Sequence, residues 1–312
     1  MERREVACPL CASTARFAMT VGDRFYGVTE YEANLYRCET CASLFQDPIP
    51  DRQTVAGFYP GGYWRETVDT SIMARLQAFY IRCMLKADLM GGVERLGPAG
   101  GDWLDVGCSR GDWLALIRDA GWSVRGIEAD PRAAAHARKI YGLEVDQVDG
   151  DDWRPEPETY DVLSFFHLLE HLRDPAGFLS LCHRALRPQG RILLRIPNIE
   201  SWQGRVFGRA WKGLEMPRHI VLPTPEALIR LLKKKGFRIE HVTTWALRDG
   251  PPSIASSLLP SGEPTRQQIE GRSRPLVTLT YLALTWAFLP LELLAAIFGK
   301  GSMLTIIARK TN

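Results

Sequence analysis

The chain has 312 residues, enough for one full α/β domain and a smaller appendage. Hydrophobic residues make up 46% and charged ones 24%, the balance of a packed globular protein, which excludes a largely disordered chain. Lysine and arginine outnumber aspartate and glutamate by only 39 to 36, so no basic field of the kind that nucleic-acid binding uses is present, and no nucleic-acid partner is expected.

The first residues, Met1-Glu-Arg-Arg-Glu-Val, lack the apolar core of a secretion signal. The expectation is a cytoplasmic location, where seven cysteines are thiols or metal ligands rather than disulfides. Cys8-Pro-Leu-Cys11 and Cys38-Glu-Thr-Cys41 are two Cys-x2-Cys pairs, each able to hold one edge of a tetrahedral zinc ion, with room for a hairpin between them. The spacing predicts a zinc-ribbon-like module over 1–50, with Cys8, Cys11, Cys38 and Cys41 as ligands. Four thiolates fill the shell, so this zinc is structural.

A linker and connecting helix are expected over 51–98. Its aromatic, glycine-rich part is Phe58 to Trp64, and apolar residues at helical spacing (Ile72, Leu76, Phe79, Cys83, Met84) follow from 71 to 96. Gly97-Pro-Ala-Gly-Gly101 breaks the chain ahead of a main domain over 99–312. There strands and helices alternate: strand 103–106, helix 112–120, strand 123–128, helix 131–141, strand 143–148, strand 160–166, helix 175–186 and strand 191–196. A helix from Thr224-Pro-Glu to Lys235, a strand over 237–245 and a last strand over 302–310 complete the series. The alternation predicts a Rossmann-like, seven-stranded, mostly parallel sheet with helices on both faces.

Between the last two strands lies an apolar helical insertion at about 250–300. Its stretch Leu276 to Phe298 carries a single charge, Glu292, and is long enough to span a membrane. If the strands flanking it share one sheet, however, the segment must return to the side it left. It is then either a buried cap or oligomer contact, or a helix resting peripherally on the inner face of the membrane with Arg272, Arg274 and Lys300 near head groups. Membrane contact is favoured, because so large an apolar surface is unfavourable in water.

Leu104-Asp-Val-Gly-Cys-Ser-Arg-Gly111 follows a strand and opens a helix, so its glycines permit a turn and close approach to a ligand. Gly107 and Gly111 lack the spacing of the dinucleotide fingerprint, and Asp105 would meet a pyrophosphate with like charge. A cationic sulfonium ligand with an unphosphorylated ribose suits the turn better. Glu128, ending the second strand, is placed to accept from ribose hydroxyls, and Asp149, ending the third, from an adenine amino group beside Gly150.

These stretches, with Gly126-Ile-Glu-Ala-Asp130, Tyr160-Asp-Val-Leu163 and Leu186-Arg-Pro-Gln-Gly190, resemble the motif series of the class I S-adenosylmethionine-dependent methyltransferases over roughly residues 100–245 and the final strand. The resemblance implies a cofactor pocket of Asp105, Gly107, Cys108, Ser109, Gly111, Glu128, Ala129, Asp149, Gly150 and Phe166. Ser109 departs from the family, whose turn usually has glycine there. The ribbon, the aromatic linker and Trp211-Lys-Gly-Leu-Glu-Met-Pro-Arg-His219 are further similar to a bacterial subgroup with a zinc-binding N-terminus, some of whose members are associated with glycan or lipid assembly. Phe166-His-Leu-Leu-Glu-His171 is similar to the Glu-x2-Glu-His stretch of related quinone and RNA-end methyltransferases. Here His167 stands for the first Glu, which weakens a magnesium site.

The resemblance implies methyl transfer to a small or lipid-linked hydroxylated acceptor, a sugar or glycan intermediate ahead of a quinone. His167, His171 and His219 are the candidate bases for the acceptor proton. Two competing readings are a non-catalytic zinc-ribbon binding protein with a methyltransferase-like domain and, disfavoured by Asp105 and the glycine spacing, a Rossmann-type NAD-dependent dehydrogenase.

Overall fold

The computed structural model describes residues 6–60, 63, 72–97, 99–272 and 274–311, with side chains from Cys83 onward in the helix that begins at Ile72. Gly61, Gly62 and Trp64 of the aromatic linker, and the side chains of Ile72, Leu76 and Phe79, lie outside the described residues.

In chain order the strands are β1 (Val6–Ala7), β2 (Thr14–Val21), β3 (Ala33–Cys38), β4 (Leu44–Gln46), β5 (Asp102–Val106) and β6 (Ser123–Ile127). They continue with β7 (Val145–Asp146), β8 (Tyr160–Phe166), β9 (Leu186–Pro197), β10 (Val221–Leu222), β11 (Phe237–Thr243) and β12 (Met303–Lys310). The chain divides into two compact units, each drawn from three stretches.

One unit lies between Glu66 and Ile196, Leu232 and Thr243, and Thr305 and Asn312. Its seven-stranded sheet runs β11-β12-β9-β8-β5-β6-β7. The pairs β7–β6, β6–β5, β5–β8 and β8–β9 are parallel, and β11 pairs with β12 antiparallel. This is the mostly parallel sheet that the alternation predicts. Leu104, Val106, Leu163 and Phe165 are buried to 1% or less, as strands covered on both faces require. The crossover helices begin and end where the sequence caps them. Asp130 accepts from the N–H of Arg132 and Ala133 at the start of Pro131–Tyr141, and Gly142 closes that helix in the left-handed region. Asp174 accepts from Gly177 N–H to start Pro175–Ala185.

Two strands differ in length from expectation by more than two residues. The edge strand β7 is only two residues, because the chain beyond it turns to place Asp149 as the cap of the short helical turn Gly150–Asp152. Strand β9 begins at Leu186 rather than Arg191, crossing Pro188-Gln-Gly190 with a register irregularity against β8 and Gln189 at positive φ.

The other unit lies between Met1 and Arg65, Pro197 and Leu231, and Thr244 and Leu304. It has a five-stranded antiparallel sheet, β1-β2-β3-β4-β10, whose last strand comes from a distant part of the chain. Val221 pairs with Phe45, and buried Leu35, Leu44, Trp211, Leu214 and Leu222 form one core beneath it.

The apolar insertion is helical, Pro275–Ala287 followed by Leu289–Ile297, and returns to its own unit at both ends. Tyr281 packs inward with its hydroxyl near Ser256 and Pro252. Past the second helix, Gly301 N–H donates to Thr244 Oγ1 and Asn198 Nδ2 donates to Gly301 O. Among the described residues, Pro275–Ile297 is the one helical stretch long and apolar enough to cross a membrane.

Candidate functional site

At the carboxyl end of β5 the chain turns through Gly107-Cys-Ser-Arg-Gly111 into the helix Asp112–Asp119. The turn is fastened to the next strand, because the N–H groups of Gly107 and Cys108 both donate to Ile127 O, at 2.8 and 3.0 Å. Gly111 sits at φ 83°, and a Cβ there would lie 2.7 Å from Leu143 Cδ1 and 2.9 Å from Ala137 Cβ. No other residue fits. Ser109, where the resemblance leads one to expect glycine, takes φ 52°, a region disfavoured for a residue with a Cβ. Its N–H donates to Glu128 Oε2 at 2.8 Å, which offsets part of that strain.

Glu128, just past β6, is buried, and its other oxygen accepts from Asp130 N–H at 2.9 Å. Each carboxylate oxygen thus accepts one backbone N–H and keeps a further lone pair for a ligand hydroxyl. Burial raises the Glu128 pKa, the backbone N–H groups of Asp130, Ser109 and Ala129 act against that rise, and the charge of Asp130 adds to it.

Asp105 lies within β5, buried, and its Oδ1 accepts from Ser164 Oγ at 2.5 Å. Ser164 in turn accepts from Trp103 Nε1 at 2.8 Å. Burial pushes the Asp105 carboxyl up to about 7, the Ser164 hydroxyl opposes the shift and the charge of Glu128 adds to it. Ser164 escapes a search for charged or glycine motifs. Its signal was nonetheless present: the one hydroxyl among apolar residues in the buried run Val162-Leu-Ser-Phe-Phe166.

The remaining expected cofactor residues are more varied. Cys108 is buried and its thiol pushed well up by that burial; Ala129 is exposed and Gly150 buried. Asp149 is exposed, and its carboxylate accepts from Asp151 N–H at 2.9 Å. Phe166, half-buried at the end of β8, meets the Trp113 ring edge-on at 5.3 Å.

Beyond β8, His167 takes φ 52°, its N–H donates to Arg195 O at 2.9 Å, and its Nδ1 lies 3.6 Å from the buried carboxylate of Glu170. His171 ends the turn Leu169–His171, half-buried. His219 belongs to the other compact unit, where it is buried. There its Nδ1–H donates to Gly213 O at 3.0 Å, which makes Nε2 the basic nitrogen of the neutral ring. Its own carbonyl accepts from Gln46 Nε2. The preceding Arg218 is buried between Asp23, at 3.1 Å, and Phe58 O, at 2.7 Å. The Trp211 to His219 stretch therefore holds polar groups in fixed orientation inside its unit.

The four cysteines converge at the β1–β2 and β3–β4 turns, with all Sγ atoms within 4.8 Å of one another. Cys8 and Cys41 are 3.7 Å apart, and Cys11 and Cys38 are 3.5 Å apart. A tetrahedron with zinc–sulfur bonds of about 2.3 Å has edges of about 3.8 Å, close to these two separations, so the four thiols are grouped as a zinc ion would require. The two turns repeat one geometry: Ala12 and Ala42 both sit at positive φ and donate N–H to Cys8 O and Cys38 O, at 2.8 and 3.0 Å. Ser43 and Thr224 were not legible as part of this centre. Cys41 Sγ donates to Ser43 Oγ at 3.3 Å, and Thr224 Oγ1 donates to Cys41 O at 2.9 Å, joining the second turn to the start of the helix Pro225–Lys234.

Comparison with known proteins places this geometry in context. The family model described as "Methyltransferase domain" matches residues 82–242. A ubiquinone biosynthesis O-methyltransferase of Pseudomonas paraeruginosa is 36% identical over 111 residues, 34% of this chain and 48% of that protein. The chain thus spans about half the length of that relative. A probable S-adenosylmethionine-dependent methyltransferase of Mycolicibacterium smegmatis is 32% identical over 196 residues, covering 62% of this chain and 66% of its own. Among solved structures, the [4+2]-cyclase SpnF superposes with a TM-score of 0.50 at 20% identity, over 83% of this chain and 90% of its own. A structure assigned to a sarcosine dimethylglycine methyltransferase of Galdieria sulphuraria gives a TM-score of 0.50 at 16% identity, over 76% and 88%. At such identities the structures establish the fold alone, and the cyclase illustrates that this fold carries more than one chemistry.

Proposed function

We propose, from the premise that this chain belongs to the class I S-adenosylmethionine-dependent methyltransferases, that it methylates a hydroxyl of a small or lipid-linked acceptor. The observation that carries the reading is Glu128, held by Ser109 and Asp130 N–H so that one acceptor site on each oxygen remains for the paired hydroxyls of a ribose. Family membership sets aside the dehydrogenase reading.

The cofactor pocket in this reading is Asp105, Gly107, Cys108, Ser109, Gly111, Glu128, Ala129, Asp149, Gly150 and Phe166. Bound S-adenosylmethionine supplies an electrophilic methyl group. Asp105, ionised, offsets the cofactor's positive charge; the bare backbone at Gly107 and Gly111 allows close approach; Phe166 excludes water at the end of β8. His219, whose Nδ1–H is held by Gly213 O, is one candidate for the base that takes the acceptor proton. His167, beside the Glu170 carboxylate, is the second candidate and His171 the third.

The O-methyltransferase names of the relatives favour oxygen as the acceptor atom. Their shared stretch is a third of this chain, so a quinone acceptor does not follow from it, and a sugar or glycan intermediate remains preferred. A lipid-linked form of that acceptor goes with peripheral contact between residues 276–298 and the inner face of the membrane. Cys8, Cys11, Cys38 and Cys41 hold a structural zinc ion that takes no part in the transfer.

Turnover against a panel of hydroxylated acceptors tests the assignment. His219→Ala or His167→Ala, whichever is the base, lowers kcat by about a hundredfold or more and leaves cofactor affinity within a few-fold. Unchanged turnover in both and in His171→Ala removes the imidazole-base mechanism. Elemental analysis tests the metal: one zinc per chain is expected, lost in Cys38→Ser, and a zinc-free folded protein contradicts the assignment.

A further inference from the structure

We propose that residues 275–299 form an in-plane membrane anchor, whose outward face sinks into one leaflet of an anionic bilayer while its single acid is latched inward. The inference deepens the reading of an enzyme working at the membrane surface and rests on it.

The first observation is an inverted surface. A helix on a soluble protein turns apolar residues inward and charges outward. Here the sole charge of the segment, Glu292, is 1% exposed, while Leu276 is 80%, Ile297 74%, Phe298 64% and Trp286 58% exposed. From Leu276 to Gly299 the exposed positions hold one polar side chain, Thr280, and no charge. The second is the fate of Glu292. Its Oε1 accepts from Ser302 N–H and Ser302 Oγ, at 2.7 and 2.8 Å, and its Oε2 accepts from Gln203 Nε2 at 2.7 Å. Three donors from its own unit keep the carboxylate out of the apolar face.

Both ends of the segment are tied to that same unit, which excludes a crossing. Thr278 Oγ1 donates to Gln267 Oε1 before the first helix has completed its second turn, and Trp202 N–H donates to Lys300 O after the second helix. Tyr281, Glu292 and Ala295 are buried along the way, so each helix of the pair has a side that rests on protein. A helix pair covered on one side and bare on the other lies in the interface plane.

The rim supplies charge complementarity to anionic head groups. Trp202 stacks on Phe298 at 5.9 Å and carries the exposed Val206, Arg205 and Arg209 to the edge of the apolar face. Lys300 borders the same edge, and Arg272 and Arg274 precede the first helix, with Lys300 and Arg274 also paired to Glu200 and Glu270. A second copy of the chain would meet this rim with like charge, which favours lipid as the occupant.

The test is flotation of the full chain with vesicles of phosphatidylcholine, with and without phosphatidylglycerol. Light scattering and an S-adenosylmethionine titration are run on the same samples. The protein is expected to float with phosphatidylglycerol vesicles. The combined Leu276→Asp, Leu279→Asp and Ile297→Asp variant, still binding the cofactor, floats at least about tenfold less. Arg205→Ser with Arg209→Ser loses the preference for phosphatidylglycerol. Cofactor binding without flotation overturns the anchor and leaves the methyltransferase reading standing, as does a dimer that the triple variant dissolves. Flotation without cofactor binding upholds the anchor while the enzymatic reading fails.

Discussion

Glu128 and Glu292 are buried carboxylates in the two compact units, and burial raises the pKa of both. Their partners differ. Glu128 is gripped by backbone N–H groups of a turn, one per oxygen, which fixes its direction and leaves acceptor capacity. Glu292 is surrounded by Ser302 and Gln203, with Oε1 accepting twice. Glu128 keeps an acceptor site on each oxygen, whereas Glu292, held by three donors, keeps one on Oε2 alone. The two acids differ in the number and kind of donors that hold them, not in burial or pKa direction.

The sharpest way to break the comparison is Glu292→Ala. It leaves three buried donors without their acceptor and is expected to lower unfolding stability by about 3 kcal/mol, seen in urea denaturation. S-adenosylmethionine affinity should stay within about twofold at permissive temperature. A large loss of affinity with unchanged stability would reverse the roles assigned to the two acids.

A smaller effect separates Asp105 from both. Burial pushes its folded carboxyl up to about 7, against about 3.9 in an unfolded chain. Between those values the folded chain binds more protons, so its stability falls as pH rises through that window, the reverse of a salt-bridged acid. Cofactor binding has the opposite trend, because a cationic ligand favours the ionised form: affinity rises with pH through about 7 and then levels. Ser164→Ala removes a hydrogen bond worth about 1.5 kcal/mol to the ionised carboxylate, weakening binding at neutral pH about tenfold and moving the midpoint upward. Asp105→Asn flattens the profile, and titrations across pH check both. The smallest expected change is Ser109→Gly, which relieves a left-handed residue and raises stability by about 1 kcal/mol in thermal unfolding.

The parts of the molecule legible in the sequence are those whose chemistry is local. Gly107 and Gly111 announce a turn, Asp130-Pro131 and Asp174-Pro175 announce helix starts, and paired Cys-x2-Cys turns announce converging thiols, because each device works within a few residues of itself. The alternation from Trp103 to Lys310 revealed the sheet for the same reason. Long-range pairings were hidden. Val221 and Leu222 close the five-stranded sheet against β4, a partner far from them in the chain. Ser164 and Thr224 act on Asp105 and Cys41 across 59 and 183 residues of chain. The apolar run 276–298 showed its composition but not its orientation, since only the fold decides that Glu292 faces Ser302.

Calorimetric titration of the purified protein with S-adenosylmethionine, beside NADH, in the wild type and in Glu128→Ala tests whether Glu128 holds this cofactor. Saturable binding of S-adenosylmethionine alone is predicted, weakened about a hundredfold by the substitution, as the loss of two hydrogen bonds to a charged acceptor implies. Binding that Glu128→Ala leaves unchanged, or no binding by a folded sample, would contradict it.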